Sequence, residues 1–138
     1  MLFVNKFFQG KIDRELYGLL VAQLFHLYQR LEQALDEHAP KLFAACHFPK
    51  ELHRSQALQD DVDFWHSTKT PTVSNATQEY IDRIDYLCET NPLLLLAHAY
   101  TRYLGDLSGG KILARVAKRA LQLQDGEGLA FYEFEHVQ

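Results

Sequence analysis

The stretch from Leu93 to Lys111, LLLLAHAYTRYLGDLSGGK, has the apolar spacing of a helix, yet it carries Gly105, Gly109 and Gly110 inside it. Each interior glycine costs a helix about 1 kcal/mol relative to alanine. A helix that bears this cost repeatedly needs a bend or a close approach of its backbone to something else. Gly105 and Gly109 are four residues apart and therefore share one face. That face is a strip of bare backbone. A flat, bulky ligand can lie on it; so can a closely crossing helix. Asp106 stands between the glycines, where a carboxylate can hold ordered water or pair with Arg102 one turn earlier. Such an exposed pair is worth only about 0.3–0.5 kcal/mol.

The rest of the chain reads as further helices. Residues 3 to 10 form a helix tail closed by Gly10. Asp13 is an N-cap for the next helix, on which Leu16, Leu20, Leu24, Leu27, Leu31 and Leu35 make one stripe to be buried. Pro40 ends that helix, and Pro49 opens another that runs to about Trp65. Residues 67 to 75 are a polar loop holding Pro71. Asn75 with Gln78 starts a helix whose inner face holds Tyr80, Ile84 and Leu87. Asn91 caps and Pro92 opens the glycine-bearing helix, which extends to about Leu123 before residues 125 to 128 break it. No strand alternation of useful length and no repeat is present, so the expected class is all-α, an irregular multi-helix bundle.

Taken as a whole, the segment Tyr100-Thr101-Arg102-Tyr103-Leu104-Gly105-Asp106-Leu107-Ser108-Gly109-Gly110 resembles the distal-helix signature of heme oxygenases. Phe48-Pro49-Lys50-Glu51-Leu52-His53-Arg54, Asp63-Phe64-Trp65 and residues 126 to 132 are similar to further family segments, in family order. The resemblance spans the chain. It implies a single, partial heme oxygenase domain over residues 1–138, with a glycine-kinked distal helix over one face of heme b. It also implies the activity: oxidative opening of heme to biliverdin, with release of CO and ferrous iron. Heme would be both substrate and oxygen-activating cofactor.

The same resemblance assigns residues. Tyr100, Thr101, Gly105, Ser108 and Gly109 would lie against heme. Asp106 would anchor the water that delivers protons during oxygen activation, joined by Tyr28, in the context Leu27-Tyr28-Gln29-Arg30-Leu31-Glu32, and by Arg102. Taken alone, Tyr28 and Tyr100 also fit the core of any helical protein. The family's iron-ligating histidine lies upstream of the segment matching residues 1 to 10, so no metal ligand is expected here. His26 and His98 match family histidines that do not bind iron, and the others, His38, His47, His53, His66 and His136, read as ordinary packed or surface residues. A non-catalytic relative that binds heme weakly, or acts through a protein partner, is the alternative function this pattern leaves open.

Composition narrows the partners. The chain of 138 residues has a net charge of -4, which argues against nucleic acid. Lys111, Arg115, Lys118 and Arg119 recur on one side of a helix. They read as a solvated face in preference to a docking site for an acidic redox protein. The resemblance implies electrons from NADPH through a reductase of the cytochrome P450 reductase type, or from a ferredoxin. Cys46 and Cys88 make no metal or redox motif and read as buried free thiols in a reducing, intracellular and cytoplasmic setting. The start, MLFVNKFFQG, does not read as an export leader, and no apolar run approaches the roughly 20 residues that span a bilayer. No P-loop, dinucleotide fingerprint or His-Glu-x-x-His motif is present.

Overall fold

In the computed structural model, which describes residues 2–137 and the side chains of 5–137, the described residues form six α-helices. Met1 and Gln138, the ends of the expected domain, lie outside the described residues. The helices are α1 (Leu2–Phe8), α2 (Arg14–Leu42), α3 (Pro49–Leu52), α4 (Ser55–Trp65), α5 (Asn75–Thr90) and α6 (Leu95–Leu121). Short 3-10 turns span Ala44–Cys46, Pro92–Leu94 and Ala130–Tyr132. No strand occurs among the described residues. No described helix is long and apolar enough to cross a membrane.

The expected helix boundaries hold where one side chain or one glycine sets them. Gly10 closes α1 at φ 72°, with Lys11 N–H donating to Lys6 O and Gly10 N–H to Phe7 O, a Schellman-type end. Asp13 caps α2 through its Oδ1, which accepts from Leu16 N–H at 3.1 Å.

Other boundaries moved, and each has a local cause. Pro40 does not end α2; it sits in the final turn, which continues to Leu42. Pro49 opens only a single turn, α3. A fresh helix, α4, begins at Ser55 because the Glu32 carboxylate of α2 accepts from the Arg54 N–H (2.5 Å) and the Ser55 N–H (3.0 Å). Two orphan donors of α4 are thus satisfied by a side chain from elsewhere in the chain. The cap of α5 is Ser74 and not Asn75: its Oγ accepts from Thr77 N–H. Asn91 makes no side-chain cap, and its carbonyl instead starts the Pro92–Leu94 turn. α6 ends at Leu121 on Gln122, which takes the left-handed conformation at φ 54°.

The long helix α2 is the spine, flanked by α4, α5 and α6. Its buried stripe differs from the expected leucine row at one end. Leu16 is 53% exposed, and Leu20 and Leu24 are half-buried. Tyr17 and Val21 take the inner positions, followed by Leu27, Tyr28, Leu31 and Leu35. Ile84 and Leu87 of α5 are buried as expected, with Tyr80 half-buried. Cys46 and Cys88 are free thiols, but Cys46 is exposed and Cys88 only half-buried, contrary to the expected burial. Cys46 sits on an exposed single turn after α2.

The segment after α6 returns across the bundle and is pinned by Asp61 of α4. Its two carboxylate oxygens accept from Ala130 N–H and Phe131 N–H, each at 2.8 Å. Burial outweighs these two hydrogen bonds and pushes the Asp61 carboxyl up to about 6. The folded protein therefore holds this proton above the pH at which the unfolded chain releases it. The associated stability is fully present below about pH 4 and is lost as pH rises through about 6, a change of about 3 kcal/mol. Subtracting the unfolding free energy of Asp61→Asn from that of the parent across this window isolates the contribution. A decline with rising pH is expected; a flat difference would show that the two hydrogen bonds offset burial fully.

Candidate functional site

α6 carries two different surfaces side by side. On its inner side, Asp106 accepts a hydrogen bond from the hydroxyl of Tyr28 on α2. One turn away on each helix, Tyr103 Oη donates to Glu32 Oε1 at 3.0 Å. Tyr28 and Glu32 are four apart on α2, and Tyr103 and Asp106 three apart on α6, so the two tyrosine–carboxylate pairs form one polar seam between the helices. Tyr28 is fully buried, with the ring of Phe131 edge-on at 5.5 Å and that of Tyr103 at 6.0 Å.

Charge in this seam is governed by burial. Burial pushes the Asp106 carboxyl above the usual carboxylate range, opposed by the Tyr28 hydrogen bond and by the positive charges of Arg102 and Arg54. Burial likewise drives the Tyr28 and Tyr103 hydroxyls well above the ordinary phenol value, so both remain donors at any physiological pH. A half-buried carboxyl with a raised proton affinity, held by a fixed donor, is suited to holding a proton and passing it through water.

Arg102 does not form an ion pair with Asp106 among the described residues. Its guanidinium lies over the Tyr80 ring at 5.0 Å, while Tyr80 Oη is hydrogen-bonded to His98 Nδ1 at 2.9 Å. Arg102 thus acts on Asp106 through space and not by contact. His26 and His66 donate through Nε2 to Pro71 O and Gly18 O, each at 2.8 Å. These rings, with His98, are committed to holding helices and loops together.

The outer side of α6 is bare. A Cβ added at Gly105 or Gly109 would meet nothing within 4 Å. The close-crossing reading fits Gly110 alone, whose added Cβ would sit 3.3 Å from Tyr132 Cδ1. Along the same side, Thr101, Leu104, Ser108 and Ile112 are exposed, as is Tyr100 at 66%. Thr101 and Ser108 turn their hydroxyls back onto Ala97 O and Gly105 O and not outward. Next to it, a mainly apolar cleft of about 630 Å³ is lined by residues including Tyr100, Leu104, Leu107, Phe48 and Leu52. A large planar ligand with an apolar face fits this surface, because the missing side chains at Gly105 and Gly109 leave room for a ring system against the backbone.

Because nothing packs on Gly105, its replacement by alanine should stabilise the ligand-free chain by about 0.5–1 kcal/mol, the helix-propensity gain. Thermal melting checks this; a loss of stability would show that the position is already in tight contact.

Tyr28 and Asp106 are thus brought together; Thr101, Gly105, Ser108 and Gly109 share the outer strip, Tyr100 lines the cleft with Leu104 and Leu107, and Arg102 stands one turn before Asp106. The sequence reading missed Glu32, Tyr103 and Arg54. Arg54 donates from Nη1 to Glu133 O at 2.6 Å and lies 4.0 Å over the Phe134 ring, fixing the returning segment. The available signal for Glu32 was an acidic residue one turn after Tyr28 on a face that is otherwise apolar.

Comparison with known proteins shows the family and the fold. The sequence profile of the family described as Heme oxygenase matches residues 1–138. The chain is 46% identical to heme oxygenase 2 of Rattus norvegicus and 42% identical to heme oxygenase 1 of Homo sapiens, covering 98% of this chain in each case. It covers 44% and 49% of those proteins, so the chain spans about half the length of the curated relatives it matches. Among solved structures, heme oxygenase from Leptospira interrogans superposes with a TM-score of 0.93 at 40% identity, over 99% of this chain and 68% of that one. Heme oxygenase-1 from the cyanobacterium Synechocystis sp. PCC6803, in complex with heme, gives 0.92 at 38% identity over 99% and 62%.

Proposed function

The chain belongs to the heme oxygenase family, and from that premise we propose that residues 1–138 are part of a single domain that opens heme to biliverdin with release of CO and ferrous iron. The observation that carries the proposal is the juxtaposition of an open Gly105–Gly109 strip with a tyrosine-held, proton-retaining Asp106 on the same helix. Heme bound there supplies the redox-active iron and is itself the molecule that is opened.

The residues of the chain bind, orient and move protons. The backbone at Gly105 and Gly109 lies against the ring face, and the glycines give α6 the freedom to bend as ligand enters. Tyr100, Thr101 and Ser108 border the ring. Asp106 holds ordered water at its free carboxylate oxygen and relays protons through it. Tyr28 is a positioning residue: its hydroxyl fixes the carboxylate, and Phe131 and Tyr103 fix the Tyr28 ring. Arg102 biases Asp106 toward the ionised form, so that the proton can leave after each delivery. Reducing equivalents come from NADPH through a reductase of the cytochrome P450 reductase type, or from a ferredoxin. The protein works inside the cell, a setting in which Cys46 and Cys88 stay reduced.

The test is product identity. Protein loaded with hemin and supplied with ascorbate and oxygen should yield biliverdin and CO. Heme that is bound but never opened would overturn the proposed activity.

A further inference from the structure

The C-terminal half of α2 and the turn after it bring three metal-ligating side chains together outside the polar seam. Asp36 lies on α2, His47 just after the Ala44–Cys46 turn, and His53 at the end of α3. His47 Nε2 is 3.1 Å from Asp36 Oδ1, and His53 Nε2 is 3.6 Å from the same oxygen. One ligand atom from each residue lies within 4.8 Å of the other two. His53 Nε2 is buried and has no hydrogen-bond partner. Among the described residues, the carboxylate oxygen recorded within 4.0 Å of it, Asp36 Oδ1, is also the partner of His47. A buried ring nitrogen left in this way is costly unless an ion or water completes it.

We propose that Asp36, His47 and His53 form a binding site for a divalent first-row transition-metal ion of the zinc type. Two imidazole nitrogens and one carboxylate oxygen are a ligand set suited to such ions and unsuited to Mg2+ or Ca2+. The spacing fits as well. Tetrahedral Zn2+, with ligands at about 2.0–2.2 Å, sets its ligand atoms roughly 3.3–3.5 Å apart. The two distances to Asp36 Oδ1 bracket that value. The other nitrogen of His53, Nδ1, faces Oε2 of buried Glu32 at 4.0 Å, beyond hydrogen-bond reach. The Asp36 side chain is 57% exposed, so an ion enters from solvent and keeps a position open for water or a further ligand. An ordinary His47–Asp36 ion pair accounts for two of the three groups and leaves His53 Nε2 stranded. The site stands on these residues alone and does not depend on the heme reading.

The experiment is a Zn2+ titration by calorimetry of the chelator-stripped chain, without an affinity tag. One Zn2+ per chain is expected. His47→Ala and Asp36→Asn should each weaken binding at least about tenfold. His38→Ala, on the same helix but outside the cluster, should leave it unchanged. Zn2+ should also raise the melting temperature of the parent and not of His47→Ala. Absence of stoichiometric binding, or equal affinity in the parent, His47→Ala and Asp36→Asn, overturns the proposal.

Discussion

Asp106→Ala should lower biliverdin formation by about a hundredfold or more, the usual contribution of a positioned proton-transfer group, while hemin still binds. The carboxylate is the only ionisable side chain between the two open glycines, and its proton affinity is raised by burial and trimmed by Arg102 and Arg54. Alanine removes both the proton store and the anchor for water. Asp106→Asn keeps the shape and hydrogen-bonding capacity but not the titrating group, so it should lose nearly as much. Tyr28→Phe leaves the carboxylate in place without its donor and should cost less, as befits a positioning residue. Product formation from hemin-loaded protein with ascorbate and oxygen measures all three. Unchanged biliverdin yield from Asp106→Ala would remove the assigned role.

Gly128→Ala should be the most damaging single methyl in the molecule. Gly128 has φ 63°, in the left-handed region, and its added Cβ would stand 2.6 Å from Phe64 Cδ1 and 2.7 Å from Trp65 Nε1. Trp65 Nε1 also donates to Gly128 O at 3.0 Å, so the indole cannot withdraw without breaking that bond. Backbone strain and overpacking together cost about 3–5 kcal/mol. The consequence reaches the site. Gly128 precedes the Ala130–Tyr132 turn, which carries Phe131 onto the Tyr28 ring and Tyr132 onto Gly110. Displacing that turn loosens the seam that holds Asp106. Urea unfolding of Gly128→Ala measures the loss; a change below about 1 kcal/mol would mean that the turn accommodates the methyl freely.

The contrast among the glycines shows what was legible in the sequence. The pattern around Gly105 and Gly109 marked a bare helix face, and the family signature carried on it named its ligand. The all-α class followed from apolar spacing, and the starts of α2 and α5 from polar residues near their first turns. What escaped was long-range. Nothing near His53 and Arg54 announces a helix break, because the group that caps α4 is Glu32, more than twenty positions earlier. The exposure of Leu16 beside buried Tyr17 depends on which residues of α2 meet neighbouring elements, which spacing alone does not set. Asp106 looked like a partner for Arg102 one turn away, yet its hydroxyl donor comes from Tyr28 across the helix interface. Local rules describe α6 well and describe poorly the pairs of side chains that join it to α2.

The central claim is that the Gly105–Gly109 strip is a heme face. Hemin titration of the chain and of a Gly105→Leu/Gly109→Leu variant, followed by the Soret band, tests it most directly. Leucines at these positions project into open space and stabilise the helix, so the variant should remain folded. The account predicts a saturable one-to-one complex with the parent chain and its loss in the variant. An identical complex in both proteins would contradict it.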